Sequence, residues 1–184
     1  MARALVCYGS SEGQTAAVAE RIGDVLDDHD HEVTLVNLKH PPDGFSPSNY
    51  DGVVVGASVH AGSHQPYVAH FVRDHREELS QLPSAFVSVS LSAAHADEAE
   101  RAPAREMLEA FLDETGWAPD ETLTVAGALK YSQYGLLKRF AMKRIAGKAS
   151  GDTDTSRDYE YTDWEALEAF ADEFAALLES SREE

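Results

Sequence analysis

Ala4-Leu5-Val6-Cys7-Tyr8, followed without a break by Gly9-Ser10-Ser11-Glu12-Gly13-Gln14-Thr15, is a short apolar run that leads into a turn of glycine and small hydroxyl residues. Beyond it Val18, Ala19, Ile22, Val25 and Leu26 recur at helical spacing as far as about Asp28, so the stretch reads as strand, loop and amphipathic helix. Backbone N–H groups at a new helix start have no intrahelical partner and carry the positive end of the helix dipole. Hydroxyls from Ser10, Ser11 and Thr15, with Gly13 allowing close backbone approach, suit a phosphate monoester there. The same residue types also cap ordinary strand-to-helix turns, and the loop alone leaves both readings open.

Working outward, Val33 to Val36 forms a second strand, and Pro41, Pro42, Gly44 and Pro47 mark a loop. Val53-Val54-Val55-Gly56-Ala57 is continuously apolar, as a strand buried on both faces must be. A helix is predicted over 65–79, a strand over 85–91, a helix over 97–115 and a fifth strand over 122–129. The last helix is predicted to start at Thr162, with Thr162 and Glu165 as a capping box, and to run through Leu167, Phe170, Phe174 and Leu178. Strands alternating with helices imply an α/β fold, a doubly wound parallel sheet with helices on both faces. Residues 1–184 are expected to form a single domain.

Acidic residues outnumber basic ones 33 to 15, for a net charge of −18. Such a charge repels itself unless salt screens it, which points to a high-salt cytosol. It also makes nucleic acid a poor partner. Cys7, the single cysteine, sits mid-strand and reads as a small buried apolar residue in a reducing compartment. No stretch approaches the roughly 20 apolar residues that span a bilayer, so a cytoplasmic protein, soluble or peripheral on the membrane's inner face, is expected. The eight histidines offer only His60 and His64 as a weak ligand pair, and no metal is expected. His60, His64 and His95 fall near the expected site, yet none is marked as a catalytic acid or base, and the catalytic residue stays unassigned.

Ligands of such sheets bind beyond the carboxyl ends of the strands. Three segments meet at that edge: Ser10 to Thr15, Ser58-Val59-His60-Ala61-Gly62, and the loop containing Ser90, Leu91, Ser92 and Ala93. The first suits a phosphate, and the other two suit a flat ring that needs in-plane hydrogen bonds and an apolar face. A dinucleotide fingerprint is absent, and Gln14 stands where a triphosphate loop would carry lysine. These residues resemble the flavodoxin family. Over nearly the whole chain they are similar to the menaquinone-dependent protoporphyrinogen oxidase family of flavodoxin-like enzymes. The motifs are Glu12-Gly13-Gln14-Thr15, Val55-Gly56-Ala57-Ser58, Leu82-Pro83-Ser84-Ala85-Phe86, Ala126-Gly127-Ala128-Leu129-Lys130-Tyr131, Gly151-Asp152-Thr153-Asp154-Thr155 and Tyr161-Thr162-Asp163-Trp164. The resemblance implies a five-stranded flavodoxin-like sheet of order 2-1-3-4-5. It further implies bound FMN held by the three loops, a porphyrinogen substrate of haem biosynthesis, and menaquinone as electron acceptor. His60-Ala61-Gly62 departs from the Arg-Tyr pair that this family tends to carry before the glycine, which removes an aromatic ring from the flavin's surroundings.

Residues 130–158 separate the fifth strand from the last helix, far more than a usual connection. Between Lys130 and Lys148 lie six basic residues and no acidic one: Lys130, Lys138, Arg139, Lys143, Arg144 and Lys148. Leu136, Leu137, Phe140, Ala141 and Ile145 give this inserted segment an apolar side. One reading lays it on an anionic membrane surface, where a lipid-soluble quinone is met and its cations attract porphyrinogen propionates. The other packs it on the domain as a solvated helix. Oligomeric state is not legible. For the chain as a whole, an FMN oxidoreductase and a flavodoxin-like electron carrier that docks redox proteins are the two functional readings, and the insertion favours the first.

Overall fold

The computed structural model describes residues 1–95, 97–129, 142–143, 146 and 154–182. Strand β1 (Arg3–Gly9) leads into α1 (Gln14–Asp28), and β2 (Glu32–Asn37) returns parallel to β1. Then follow β3 (Gly52–His60), the short β4 (Ser63–His64), α2 (Pro66–Asp74), α3 (Arg76–Leu79), β5 (Ser84–Ser90), α4 (Glu98–Thr115) and β6 (Glu121–Ala126). β7 (Ala128–Leu129), β8 (Tyr159–Glu160) and α5 (Trp164–Ser180) complete the described elements. The parallel sheet has the order β2-β1-β3-β5-β6, and β4 pairs antiparallel with the end of β3. Leaving aside that short hairpin, this is the expected 2-1-3-4-5 arrangement.

Alternation along the central strands divides the core between the sheet's two faces. Val54, Val6, Val87 and Val125 face α1 and α5, where Ile22, Leu26, Phe170, Phe174 and Leu178 are buried. Val53, Val55, Leu5, Cys7 and Phe86 face α2 and α4, among Val68, Val72, Leu108 and Phe111. Cys7 is fully enclosed; burial pushes its thiol pKa up, so it is an inert packing residue.

Several boundaries differ from the sequence reading. The helix expected over 65–79 breaks at His75 into α2 and α3. The last helix is capped by Asp163, whose side chain accepts from Ala166 N–H at 3.0 Å. Thr162 is therefore not the cap; its hydroxyl donates to the Ala126 carbonyl at 2.9 Å. The fifth strand does not run straight to Leu129 either. It leaves the sheet at Gly127, and β7 pairs antiparallel with β8, a partner 30 residues on that no local pattern announces.

His64 anchors the second core layer. Its Nε2 lies 2.8 Å from Ser88 Oγ, and its ring meets Phe86 and Phe111 edge-on. Burial lowers its pKa to about 4. Between pH 4 and the unfolded value of 6.5 the unfolded chain binds the extra proton, so stability rises with pH across that window and is lost as pH falls through it. In urea unfolding, the wild type is expected to lose about 3 kcal/mol more than His64→Phe on going from neutral pH to about pH 4. Equal losses in the two proteins would refute a buried neutral His64.

Candidate functional site

The carboxyl ends of β1, β3 and β5 open on one cleft. Gly13 enters α1 with φ +86°, a left-handed conformation that glycine adopts without strain. The turn is held by Gly13 N–H donating to Ser10 Oγ at 3.0 Å. The cap residue Gly13 has no side chain to bond the first-turn amides of α1, and no acidic residue lies in that turn, so the helix N-terminus presents donors to an anion. From α2, the Tyr67 phenol, its pKa raised by burial, meets the Ser10 backbone N–H. Gly9 must lack a side chain here, because a Cβ would stand 2.5 Å from Val68 Cγ2 and 3.1 Å from the Tyr67 ring.

The second wall is the β3–β4 hairpin. Its turn residues Ala61 and Gly62 both have positive φ, +51° and +85°, the twist that a two-residue hairpin requires. Gln65 fixes its base: Ser58 N–H donates to Gln65 Oε1 at 3.1 Å, and Gln65 Nε2 donates to Ser58 Oγ. The third wall comes from the end of β5 and the 3₁₀ turn Leu91–Ala94.

A cleft lies between these walls. Ser10, Glu12, Gln14, Thr15, Ser58, Val59, His60, Ser90 and Leu91 line it, all named from sequence. Ala61, Gly62 and Ser92 line an adjoining lobe that shares His60, Ser90 and Leu91 with the first. Ser11 and Gly13 are exposed in the turn and line neither lobe. Ala93 lines neither lobe but a separate groove with Arg101, Thr124 and Tyr161. The expectation for Gln14 also changes. Its amide Nε2 donates to Thr162 Oγ1 at 2.8 Å and to Glu160 Oε1 at 3.3 Å, so both amide hydrogens are committed within the protein. His64 turns into the core, away from the cleft, and His95 pairs with Glu100 at 2.9 Å.

Sequence reasoning missed Gly127, Ala128 and Met142, which complete the cleft wall. It also missed the bracing roles of Gln65, Tyr67 and Thr162. Met142 is the informative one: it comes from the segment between β7 and β8 and lines both lobes. Ala146 of the same segment is buried against Leu129, and Lys143 is exposed. Lys130, Lys138, Arg139 and Arg144, with the apolar side assigned to that segment, lie outside the described residues.

The donor set fits a flavin mononucleotide. Hydroxyls and uncapped amides at the α1 terminus match a phosphate, and Ser90 Oγ is buried in the cleft wall with no hydrogen-bond partner among the described residues, a polar atom that a ring's heteroatom can satisfy. Residues 5–156 match the family model described as a flavodoxin domain. The chain belongs to that family, is a flavoprotein domain, and its cofactor is FMN. It is similar along nearly its full length to an oxidoreductase, the protoporphyrinogen IX dehydrogenase [quinone] of Escherichia coli strain K12, at 34% identity with 96% of this chain and 97% of that protein covered. The protein of the same name from Leishmania major is 32% identical, with 95% of this chain and 75% of that one covered. Among solved structures, a short-chain flavodoxin associated with a non-canonical PDU bacterial microcompartment aligns with a TM-score of 0.61 at 17% identity, covering 97% of this chain and 99% of the other. A flavodoxin from the domain Archaea aligns at 0.54 and 14% identity, covering 96% and 99%. Both share the fold.

Proposed function

We propose that this protein is an FMN-dependent protoporphyrinogen IX dehydrogenase that passes electrons to menaquinone in haem biosynthesis. The observation that carries the reading is Met142. The segment that separates a porphyrinogen dehydrogenase from a plain carrier reaches the cleft wall, in a chain related end to end to proteins named for that activity. When bound, FMN supplies two-electron acceptance from the donor and delivery to the quinone. The protein's part is to position and to exclude water. The Ser10–Thr15 turn and the first amides of α1 would hold the phosphate. Ser58, Val59, His60, Ala61 and Gly62, with Ser90, Leu91 and Ser92, would hold the ring. Val89, Leu91 and Met142 would supply apolar contact. The basic residues Lys130, Lys138, Arg139, Lys143 and Arg144 meet propionates and an anionic membrane surface, where the lipid-soluble acceptor resides.

An anaerobic assay of the FMN-loaded protein with protoporphyrinogen and a menaquinone analogue tests the reading. Flavin bleaching by the porphyrinogen followed by reoxidation with the quinone is the expected result. No bleaching by porphyrinogen, with ready exchange of electrons with a reductase protein, would overturn it in favour of an electron carrier.

Thr162 supports the phosphate loop from outside. Its hydroxyl joins Gln14 of α1 to the end of β6 beside Gly127. Thr162→Val removes both hydrogen bonds at nearly constant volume and is expected to weaken FMN binding by about tenfold, while Thr162→Ser restores most of it. Flavin fluorescence titration measures both; equal affinities for Val and Ser variants would deny the hydroxyl this positioning role.

A further inference from the structure

A second groove, of about 370 Å³, runs between α2 and α4 beyond the cofactor cleft. Its walls are Pro66 and Ala69 from α2, and Met107, Ala110 and Phe111 from α4. It is continuous with the cleft: Gly62 and Met107 line both this groove and the outer lobe, and that lobe shares His60, Ser90 and Leu91 with the inner one. A molecule reacting at the ring therefore has a groove leading away from the reaction centre, apolar along Pro66, Ala69, Met107 and Ala110 and polar towards His70, Arg73 and Glu114.

The charge in the groove narrows what can occupy it. Arg73, a cation in its wall, is already paired with Glu114, Nη1 to Oε1 2.8 Å, at the ends of the two helices remote from the loops. The buried His64 ring is engaged with Ser88 and stays neutral near pH 7. A porphyrinogen's propionates would find no uncompensated cation on Arg73 and would lie beside the Glu114 carboxylate. An uncharged hydrocarbon chain kept to the stretch above the Arg73–Glu114 pair leaves that pair in water and removes the exposed apolar side chains Pro66 and Ala110 from it, at the cost of partly covering His70.

We infer that the groove between α2 and α4 holds the isoprenoid tail of the quinone acceptor, threaded past Gly62 and Met107 with the quinone ring at the cofactor cleft. The inference rests on the quinone-reducing reading proposed above. The electron donor does not use this groove.

Two naphthoquinones with the same ring, one bearing a two-isoprene tail and one bearing only a methyl group, separate the possibilities. In the FMN-loaded wild type the tailed compound should bind more tightly by equilibrium calorimetry and show the lower KM. Ala110→Trp fills the exposed rim of the groove, and Met107→Lys puts a charge at its neck. Each variant should raise the ratio of tailed to tail-less KM by roughly tenfold or more, and calorimetry should show the same loss of preference. Because the two substitutions differ in chemistry and position, misfolding of one leaves the other as the test. A ratio unchanged in a folded variant would overturn the inference, as would a rise in porphyrinogen KM in place of the quinone's. A wild type that reduces neither quinone defeats the quinone-reductase reading itself; calorimetry then still judges the groove, and equal affinity for the two compounds would count against it.

Discussion

Ser10→Asp is expected to abolish useful FMN binding while leaving the protein folded. Ser10 Oγ accepts the Gly13 N–H at 3.0 Å and closes the turn. An aspartate carboxylate can accept the same bond, and it adds a negative charge where the dipole of α1 favours one. The melting temperature should therefore hold or rise slightly. The same carboxylate occupies the mouth of the phosphate cradle, and two like charges some 4 Å apart near a protein surface repel by about 4 kcal/mol, so a loss of affinity of about 100-fold or more is expected. Riboflavin, which lacks the phosphate, should bind the variant and the wild type alike. Flavin fluorescence titrations with both ligands give the result. Retention of FMN affinity by Ser10→Asp would place the phosphate elsewhere.

Phe86→Ala carries the largest expected cost to stability. Phe86 is fully buried at the centre of the sheet face that packs on α2 and α4. Its ring stacks on Phe111 with centroids 4.4 Å apart, meets Trp117 edge-on at 5.9 Å and covers His64 at 5.5 Å. Truncation removes the ring and leaves a cavity bounded by three other rings that cannot collapse together, at a cost of about 3–5 kcal/mol. In a chain of this size that lowers the melting temperature by roughly 6–20 °C. A second signature follows from the same geometry. Water admitted beside His64 relieves the burial that holds its pKa near 4, so in the surviving folded protein the His64 resonance should titrate closer to the ordinary histidine range. A small stability loss with an unmoved His64 titration would mean that the cavity closes, contrary to the packing described.

Much of the site was legible because it depends on local chemistry at strand ends. The Gly9–Thr15 turn announces itself by composition, and β3 by its unbroken apolar run; both stand where the pattern put them. Thr162 shows how the local reading fails. Thr162 with Glu165 satisfies the capping pattern, but Asp163 is an equally good cap one residue later. Thr162 is then drawn to Ala126 and Gln14, neighbours 36 and 148 positions away along the chain. Gln14 shows the same dependence: it lies in the cofactor loop, and β8 brings Glu160 and Thr162 to its side-chain amide. His64 differs. From the sequence it falls near the expected site, yet the β3–β4 hairpin folds it back beneath Phe86 and Phe111.

The sequence by itself determined the α/β class, the two-faced burial of the central strands and the turn of glycine and hydroxyl residues at the start of α1, because each follows from periodicity or from residue types within a few positions. Tertiary structure alone decided that β6 leaves the sheet at Gly127 to let β7 pair with β8, that Met142 lines the cleft, and that a groove between α2 and α4 shares Gly62 and Met107 with its outer lobe. Each of these joins residues far apart in the chain, and such pairings are selected by the packing of the whole molecule, which no local propensity encodes. The first turn was therefore readable from seven consecutive residues, while the walls around it exist only once the chain has folded.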